Sequence, residues 1–330
     1  MSRVFFVLPV YNVKDYLERA VHSVVHQTYA DTYIVLVDDG STDGSGALCD
    51  MLAAGFRHVE VLHKQNGGLS DARNAGIRRC VQLGKNDDYI CLLDSDDFVR
   101  EDFAERLVSL CRENGCRMAQ CAYEKGSANG FSAERTPGAP MICTGSEALL
   151  GYRLKTPVTN KIFRLDILAG EQFPVGRWNE DEFFLYRAAY RCEKIAFTDE
   201  KLYYYYQRPG SIMDDIAKKL KDSPRRYDWL YAYTERIIFF KEKGEREQVL
   251  RTCEKICTDI ILRHTEQLRL PKEERDPAVA NGEYLRTYRN FCRIMLRRPG
   301  IPAGRRLMYR AFALCPRLAR FAERFTPLRK

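Results

Sequence analysis

The chain has 330 residues, 45% of them hydrophobic, enough for a core of one large domain or two. Its net charge of +8 is concentrated at one end: from residue 286 onward 13 Lys and Arg meet one acid, Glu323, which leaves the rest at a net −4. A mildly acidic body excludes a nucleic-acid surface there and reserves any anionic partner for the tail. The twelve cysteines lack metal-ligand or paired spacing, Cys253 and Cys257 coming nearest, and read as reduced thiols of a cytosolic protein. His22, His26, His58, His63 and His264 are scattered, so no zinc site is expected. The opening Met1-Ser2-Arg3 runs into an expected strand rather than the apolar core of a secretory leader, so none is expected, and no run approaches the 18 apolar residues of a bilayer span.

Residues 4–10 read as a first strand, and 14–27 as a helix with Leu17, Ala20, Val21, Val24 and Val25 at helical spacing. A second apolar run ends in Asp38-Asp39-Gly40-Ser41, where Thr42 or Asp43 is expected to cap the next helix. A short strand over 59–63, a Gly67-Gly68 loop and a helix over 70–83 lead to a fourth strand that ends in Asp94-Ser95-Asp96-Asp97. Strands alternating with helices imply βαβ crossovers and a Rossmann-like half over 1–100. From 101 to about 215 the pattern is mixed. Helices are expected over 103–112, 144–152 and 180–191, strands over 118–124 and 202–207, and a Gly/Ser/Pro loop up to Pro140. Beyond a boundary near Asp215 the chain reads as helical, interrupted over 271–282.

Both acidic clusters lie where a strand buried on both faces runs out. In open α/β sheets ligands bind beyond the carboxyl ends of such strands. Carboxylates crowded there would repel one another without a cation. The simplest ligand is a divalent metal carrying a phosphate-bearing molecule, which points to nucleotide chemistry.

Seven blocks carry a resemblance: 7–12 (VLPVYN), 37–43 (VDDGSTD), 66–76 (NGGLSDARNAG), 92–97 (LLDSDD), 160–163 (NKIF), 179–184 (NEDEFF) and 206–211 (YQRPGS). In this order, over about two thirds of the chain, they resemble an inverting family 2 glycosyltransferase of the GT-A fold. The resemblance implies an α/β fold: a Rossmann-like nucleotide-sugar-binding domain over 1–215 with a mixed central sheet, its acceptor half over 101–215, and a helical extension over 216–330. It implies Mn2+ or Mg2+ as cofactor and a nucleotide-sugar donor, expected to be a UDP-sugar. The acceptor it implies is a glycan or lipid-linked oligosaccharide of bacterial surface polysaccharide synthesis.

Residue by residue, Asp39 resembles the contact to the pyrimidine ring, with Pro9 and Tyr11 on the opposite wall, while Asp38 reads as a strand-ending turn. Asp94 and Asp96, two apart on a segment expected to be extended, project to one side. Asp96 is expected as the direct metal ligand, Asp94 on the ribose or a metal-bound water, and Asp97 as a helix cap. Arg73 and Arg208 are expected on the diphosphate, Arg208 in a closing loop with Gly210 and Ser211. Asp181 is the expected general base, with Glu180 as rival; three acids in a row also suit a helix start. Asn160 and Lys161 are expected to support the cleft floor. A metal-dependent nucleotidyltransferase is the rival enzyme, though the turn 9–12 lacks the glycine of a phosphate loop; an inactive membrane-associated scaffold is the non-enzymatic alternative.

In the tail, Arg286, Arg289, Arg293 and Arg297 recur at helical spacing, followed by Leu307, Phe312, Leu314, Leu318, Phe321 and Phe325 among basic residues. This suits a segment lying in the headgroup plane at the inner leaflet of the membrane. The alternative is a helical lid packed on the protein.

Overall fold

Val4–Val10 forms β1, buried at every position and hydrogen-bonded in parallel on both sides, as an unbroken apolar run requires. The computed structural model describes residues 2–126, 138–151, 153–208 and 223–316, and the chain divides into two units, Met1–Ile212 and Met213–Lys330. The boundary expected at Asp215 falls outside the described residues, as do Gly210, Ser211, most of the Gly/Ser/Pro loop, and Leu318, Phe321 and Phe325 of the tail.

In the first unit β1 is followed by α1 (Lys14–Val25), β2 (Thr32–Asp38), α2 (Ser45–Gly55), β3 (Val59–His63), α3 (Leu69–Leu83) and β4 (Tyr89–Leu92). The strands lie in the order β3-β2-β1-β4, all parallel, which brings the ends of β1, β2 and β4 side by side. Gly76 lets α3 sit close on this sheet: a Cβ there would lie 2.3 Å from Val7 Cγ1. Asp43 accepts the Ser45 N–H at 2.9 Å, so it serves the start of α2 although Gly44, at φ +92°, is the residue before the helix.

The sheet continues with β5 (Phe98–Val99), α4 (Phe103–Asn114), β6 (Met118–Gly126), β7 (Met141–Cys143), α5 (Gly145–Leu150), β8 (Lys161–Arg164), α6 (Leu165–Leu168), α7 (Glu180–Tyr190) and β9 (Ile195–Tyr206). Beyond β4 the order is β8-β6-β9-β5, with β4–β8, β6–β8 and β5–β9 antiparallel and β6–β9 parallel. The sheet is thus mixed. β9 is twice the strand expected: the polar run Thr198-Asp199-Glu200-Lys201 hides its first half, and its ladder with β6 shifts register between Gln120 and Tyr123. All twelve cysteines are free thiols.

The second unit is helical: α8 (Asp228–Glu242), α9 (Arg246–Gln267), the short α10 (Pro277–Ala280), α11 (Glu283–Met295) and α12 (Ala303–Leu314). Tyr284, Tyr288, Cys292 and Met295 form the buried face of α11, and Met308, Tyr309 and Phe312 that of α12. Phe312, expected at a membrane surface, is instead fully buried, 4.7 Å from the Tyr288 ring and 5.4 Å from His264. Outward face Arg286, Arg289, Arg293 and Arg297, with Leu307 and Leu314 largely exposed. No helix among the described residues is long and apolar enough to cross a membrane.

Candidate active site

Asp38 and Asp39 end β2 with different partners. Asp38 accepts the Ser41 N–H at 3.0 Å, the expected turn, and a second bond joins it to His63 at 2.9 Å. Hydrogen bonds from Ser41 and His63 hold its carboxyl below the usual range against the cost of burial. Asp39 is 2% exposed and accepts the N–H groups of Gly67 and Gly68 at 2.9 and 2.7 Å, with Lys64 at 2.5 Å. It therefore pins the glycine loop before α3. Lys64 also reaches Asp71 at 2.7 Å and is a site residue that the sequence reading missed. No local pattern links Lys64 to an acid 25 positions upstream; only the β2–β3 pairing does.

Tyr11, just after β1, is 50% exposed, and Asn12 follows at φ +52° with its side chain accepting the Thr42 N–H. Pro9 is buried within β1 and contributes its carbonyl, which takes the Ser95 hydroxyl at 2.7 Å. The strand end is thus tied to the second acidic cluster.

That cluster is a turn, not the extended segment expected: Asp97 N–H donates to the Asp94 carbonyl at 3.0 Å. Asp94 and Asp96 each give one oxygen to a different cation, Asp94 to Arg73 at 2.8 Å and Asp96 to Arg208 at 2.6 Å. Asp97 does not cap α4. It accepts the Tyr203 hydroxyl and, at 2.8 Å, the Tyr206 N–H. Burial, with Asp94 and Asp96 adding to it, pushes the Asp97 carboxyl up to about 8. This bond fastens the acidic turn to the end of β9 and delivers Arg208 two residues later. Arg208 also lies over the Tyr16 ring at 5.4 Å.

Arg73 is the junction of the site. Its side chain is 2% exposed; one terminal nitrogen meets Glu180 at 2.8 Å and Asp181 at 3.1 Å, the other Asp94 at 2.8 Å, and the ring of Phe173 lies 5.4 Å from the guanidinium. With both ends engaged it holds three carboxylates rather than presenting an open fork to a diphosphate. The crowding expected to demand a metal is offset by this arginine and Arg208. The Asn74 side chain clamps the Phe173 backbone with two 2.8 Å bonds, and Phe173 stacks on Phe184 of α7 at 4.0 Å. α3 thereby fixes both Arg73 and the helix carrying its partners.

Asp181 uses its second oxygen to accept the Val158 N–H at 3.2 Å, while Thr156 donates to Glu182 at 3.0 Å. Burial pushes the Asp181 carboxyl up to about 7; Arg73 opposes this, and Glu180 and Asp94 add to it. Asn179, at φ +58°, turns the chain into α7; it and Asn12 are the two non-glycine residues at positive φ among those described, and both border this site.

The donors suit a hard divalent cation. Asp94 Oδ2 and Asp96 Oδ1 have no hydrogen-bond partner among the described residues, and the two side chains are 31% and 22% accessible. No three His, Cys, Asp or Glu side chains among the described residues form a cage. Mg2+ and Mn2+ need none, since phosphates and waters complete their shell.

Residues 5–173 match the model of glycosyl transferase family 2. The glycosyltransferase GlyG of Streptococcus pneumoniae is 33% identical over 221 residues, 63% of this chain and 71% of that protein. EpsJ of Bacillus subtilis, named as a glycosyltransferase, is 28% identical over 254 residues, 73% of this chain and 70% of EpsJ. Among solved structures, Staphylococcus aureus TarS 1-349 in complex with UDP-GlcNAc superimposes with a TM-score of 0.70 at 16% identity, covering 98% of this chain and 90% of that one. Matched along half its length by that model and along most of it by these relatives, the chain belongs to glycosyl transferase family 2, with the GT-A fold and a helical C-terminal region.

Proposed function

We propose that this glycosyltransferase is inverting and metal-dependent. It would move the sugar of a nucleoside diphosphate sugar, a UDP-sugar as in the TarS complex, to a hydroxyl of a glycan or lipid-linked acceptor in bacterial surface polysaccharide synthesis. The observation that carries this reading is the Arg73 junction, which joins Asp94, beside the candidate metal ligand, to Glu180 and Asp181, the candidate bases. Donor and acceptor chemistry thus share one cleft.

Asp96 and Asp94 would hold Mn2+ or Mg2+, which would supply positive charge to offset the diphosphate and ease its departure. Asp39 orders the glycine loop beside the pyrimidine, and Tyr11 offers an exposed ring to the base. Arg208, just after the end of β9 and paired with Asp96 at 2.6 Å, would meet the diphosphate held there. The acceptor oxygen attacks the anomeric carbon from the face opposite the diphosphate. Its bond forms as the bond to the diphosphate breaks with its electron pair, and its proton passes to Asp181. Glu180, whose Oε2 has no partner among the described residues, is the alternative base. Incubation with UDP-, GDP- and TDP-sugars and Mn2+, with NMR of the product anomer, tests the reading; retention of configuration would exclude the inverting mechanism.

Asp96→Ala should abolish turnover while leaving the fold intact. Burial raises the Asp96 carboxyl above its ordinary value, Arg208 notwithstanding, so its ionised form costs stability near neutral pH and its loss leaves the melting temperature unchanged or higher. Retention of most metal-dependent donor hydrolysis would remove Asp96 from the ligand set.

The exposed arginines on and just after α11 would hold the enzyme peripherally on an anionic inner leaflet, near a lipid-linked acceptor. Because α12 carries part of the core of its unit, truncation is a poor test, and replacing Arg286, Arg289, Arg293 and Arg297 together with Gln is a better one. At about 1 kcal/mol per residue near a charged surface, sedimentation with anionic liposomes at low salt should fall by roughly two orders of magnitude or more, with soluble-acceptor turnover unchanged. Equal sedimentation of variant and parent would rule out this face.

A further inference from the structure

Lys161 opens β8 with a wholly buried side chain and no carboxylate within ion-pairing distance among the described residues. Lysine is almost never fully buried unless paired. Its ammonium donates to the Pro157 carbonyl and, at 2.7 Å, to Asn160 Oδ1, while Asn160 donates to the Cys121 carbonyl of β6 at 2.5 Å. The segment 156–160 is therefore anchored from below by Lys161. From above it grips α7, through Val158 N–H on Asp181 and the Thr156 hydroxyl on Glu182.

We propose that Lys161 is a positioning residue for the base: it fixes the turn whose Val158 N–H holds Asp181, and it adds its positive charge to that of Arg73 in the surroundings of that carboxylate. This rests on the reading of Asp181 as the base. The charged groups facing Asp181 are Arg73 from α3, Asp94 from the end of β4, Glu180 from its own helix and Lys161 from β8; those facing Lys161 are Asp181, Cys121 from β6 and Lys155. Burial lowers the Lys161 ammonium to about 7, and the field of Asp181 is the first influence that keeps it charged. The pair is mutually dependent, and the lysine is charged on the acid side of neutrality, where an ionised base is scarce. A lysine that merely held the fold would, on replacement by methionine, cost stability through the bonds it gives to Pro157 and Asn160 and leave the pH profile of activity where it was.

The test is the pH profile of kcat/KM for Lys161→Met and Lys161→Gln beside the parent enzyme. The acid limb should move to higher pH by about half a unit to one unit. Turnover on that limb should fall up to tenfold with donor KM unchanged, and activity should recover at alkaline pH. An unmoved limb overturns the proposal. Asp181→Asn in the same series separates the two ideas: its full activity would remove Asp181 as base, whereas an inactive Asp181→Asn with an unmoved limb in Lys161→Met defeats the role of Lys161 alone. The coupling is reciprocal, so a second measurement needs no substitution at Lys161. NMR titration of 13Cε-labelled lysine should show the Lys161 signal titrating at lower pH in Asp181→Asn than in the parent. Identical titrations would refute the coupling even if the lysine variants did not fold.

Discussion

Arg73→Met should be the most damaging single change in the first unit. The substitution keeps the length of the side chain but leaves Asp94, Glu180 and Asp181 facing one another without the cation that all three contact. Breaking a buried ion pair by removing one partner costs on the order of 3–5 kcal/mol, and here three acids lose the same partner. The sign with pH follows from linkage. In the parent, burial raises the Asp181 carboxyl and Arg73 opposes that rise, so in the variant its folded-state pKa lies further above the unfolded one and its contribution to stability is intact below the ordinary carboxylate range. It is lost as pH rises through the raised value. Arg73→Met should therefore melt closest to the parent near pH 5 and furthest below it near pH 8. Glycosyl transfer should be absent throughout, because the junction also places Asp181. A melting-temperature deficit that stays constant from pH 5 to pH 8 would show that the three acids do not depend on Arg73.

Arg73 also shows where sequence reading stops. The βα alternation, the two acidic strand ends and α7 were legible because each is a local pattern: an apolar run, a terminating cluster, a helical period. The family blocks then selected Arg73, Asp94 and Asp181 as site residues, but not that the first would bind the other two. That depends on α3 settling close on β1 over Gly76, and on the Asn74–Phe173–Phe184 linkage that brings α7 to it, contacts that span about a hundred residues. The same holds for Asp97, read as a cap from its place before a helix and found bonded to Tyr203 and Tyr206 across the β5–β9 pairing. Period and spacing report on neighbours along an element; they carry no information about which distant group neutralises a charge. The tail illustrates the reverse error. Its amphipathic pattern was read correctly as a pattern, but an apolar face has no label for its partner, and that of α12 is turned into its own unit.

Asp181→Asn should retain donor and metal binding and lose transfer by about 10²- to 10⁴-fold in kcat. The amide can keep the Arg73 contact through its oxygen, so the helix start should stay in place. What disappears is an acceptor for the proton of the attacking hydroxyl. In the parent enzyme burial lifts the Asp181 carboxyl to about 7, well above the value of a solvated aspartate, so it is a stronger base than its residue type suggests. It also means that the ionised, competent form accumulates only as pH rises. The kcat/KM profile of the parent should therefore climb through about pH 7 and level off above it, a limb that Asp181→Asn should lack in whatever activity remains. Glu180→Gln is the necessary companion, because both acids share one arginine nitrogen. If Glu180 is the base instead, Glu180→Gln will be the inactive variant and Asp181→Asn will transfer sugar at close to the parental rate. If both lose activity but only Asp181→Asn loses the acid limb, Glu180 serves to hold Arg73 in place and Asp181 takes the proton.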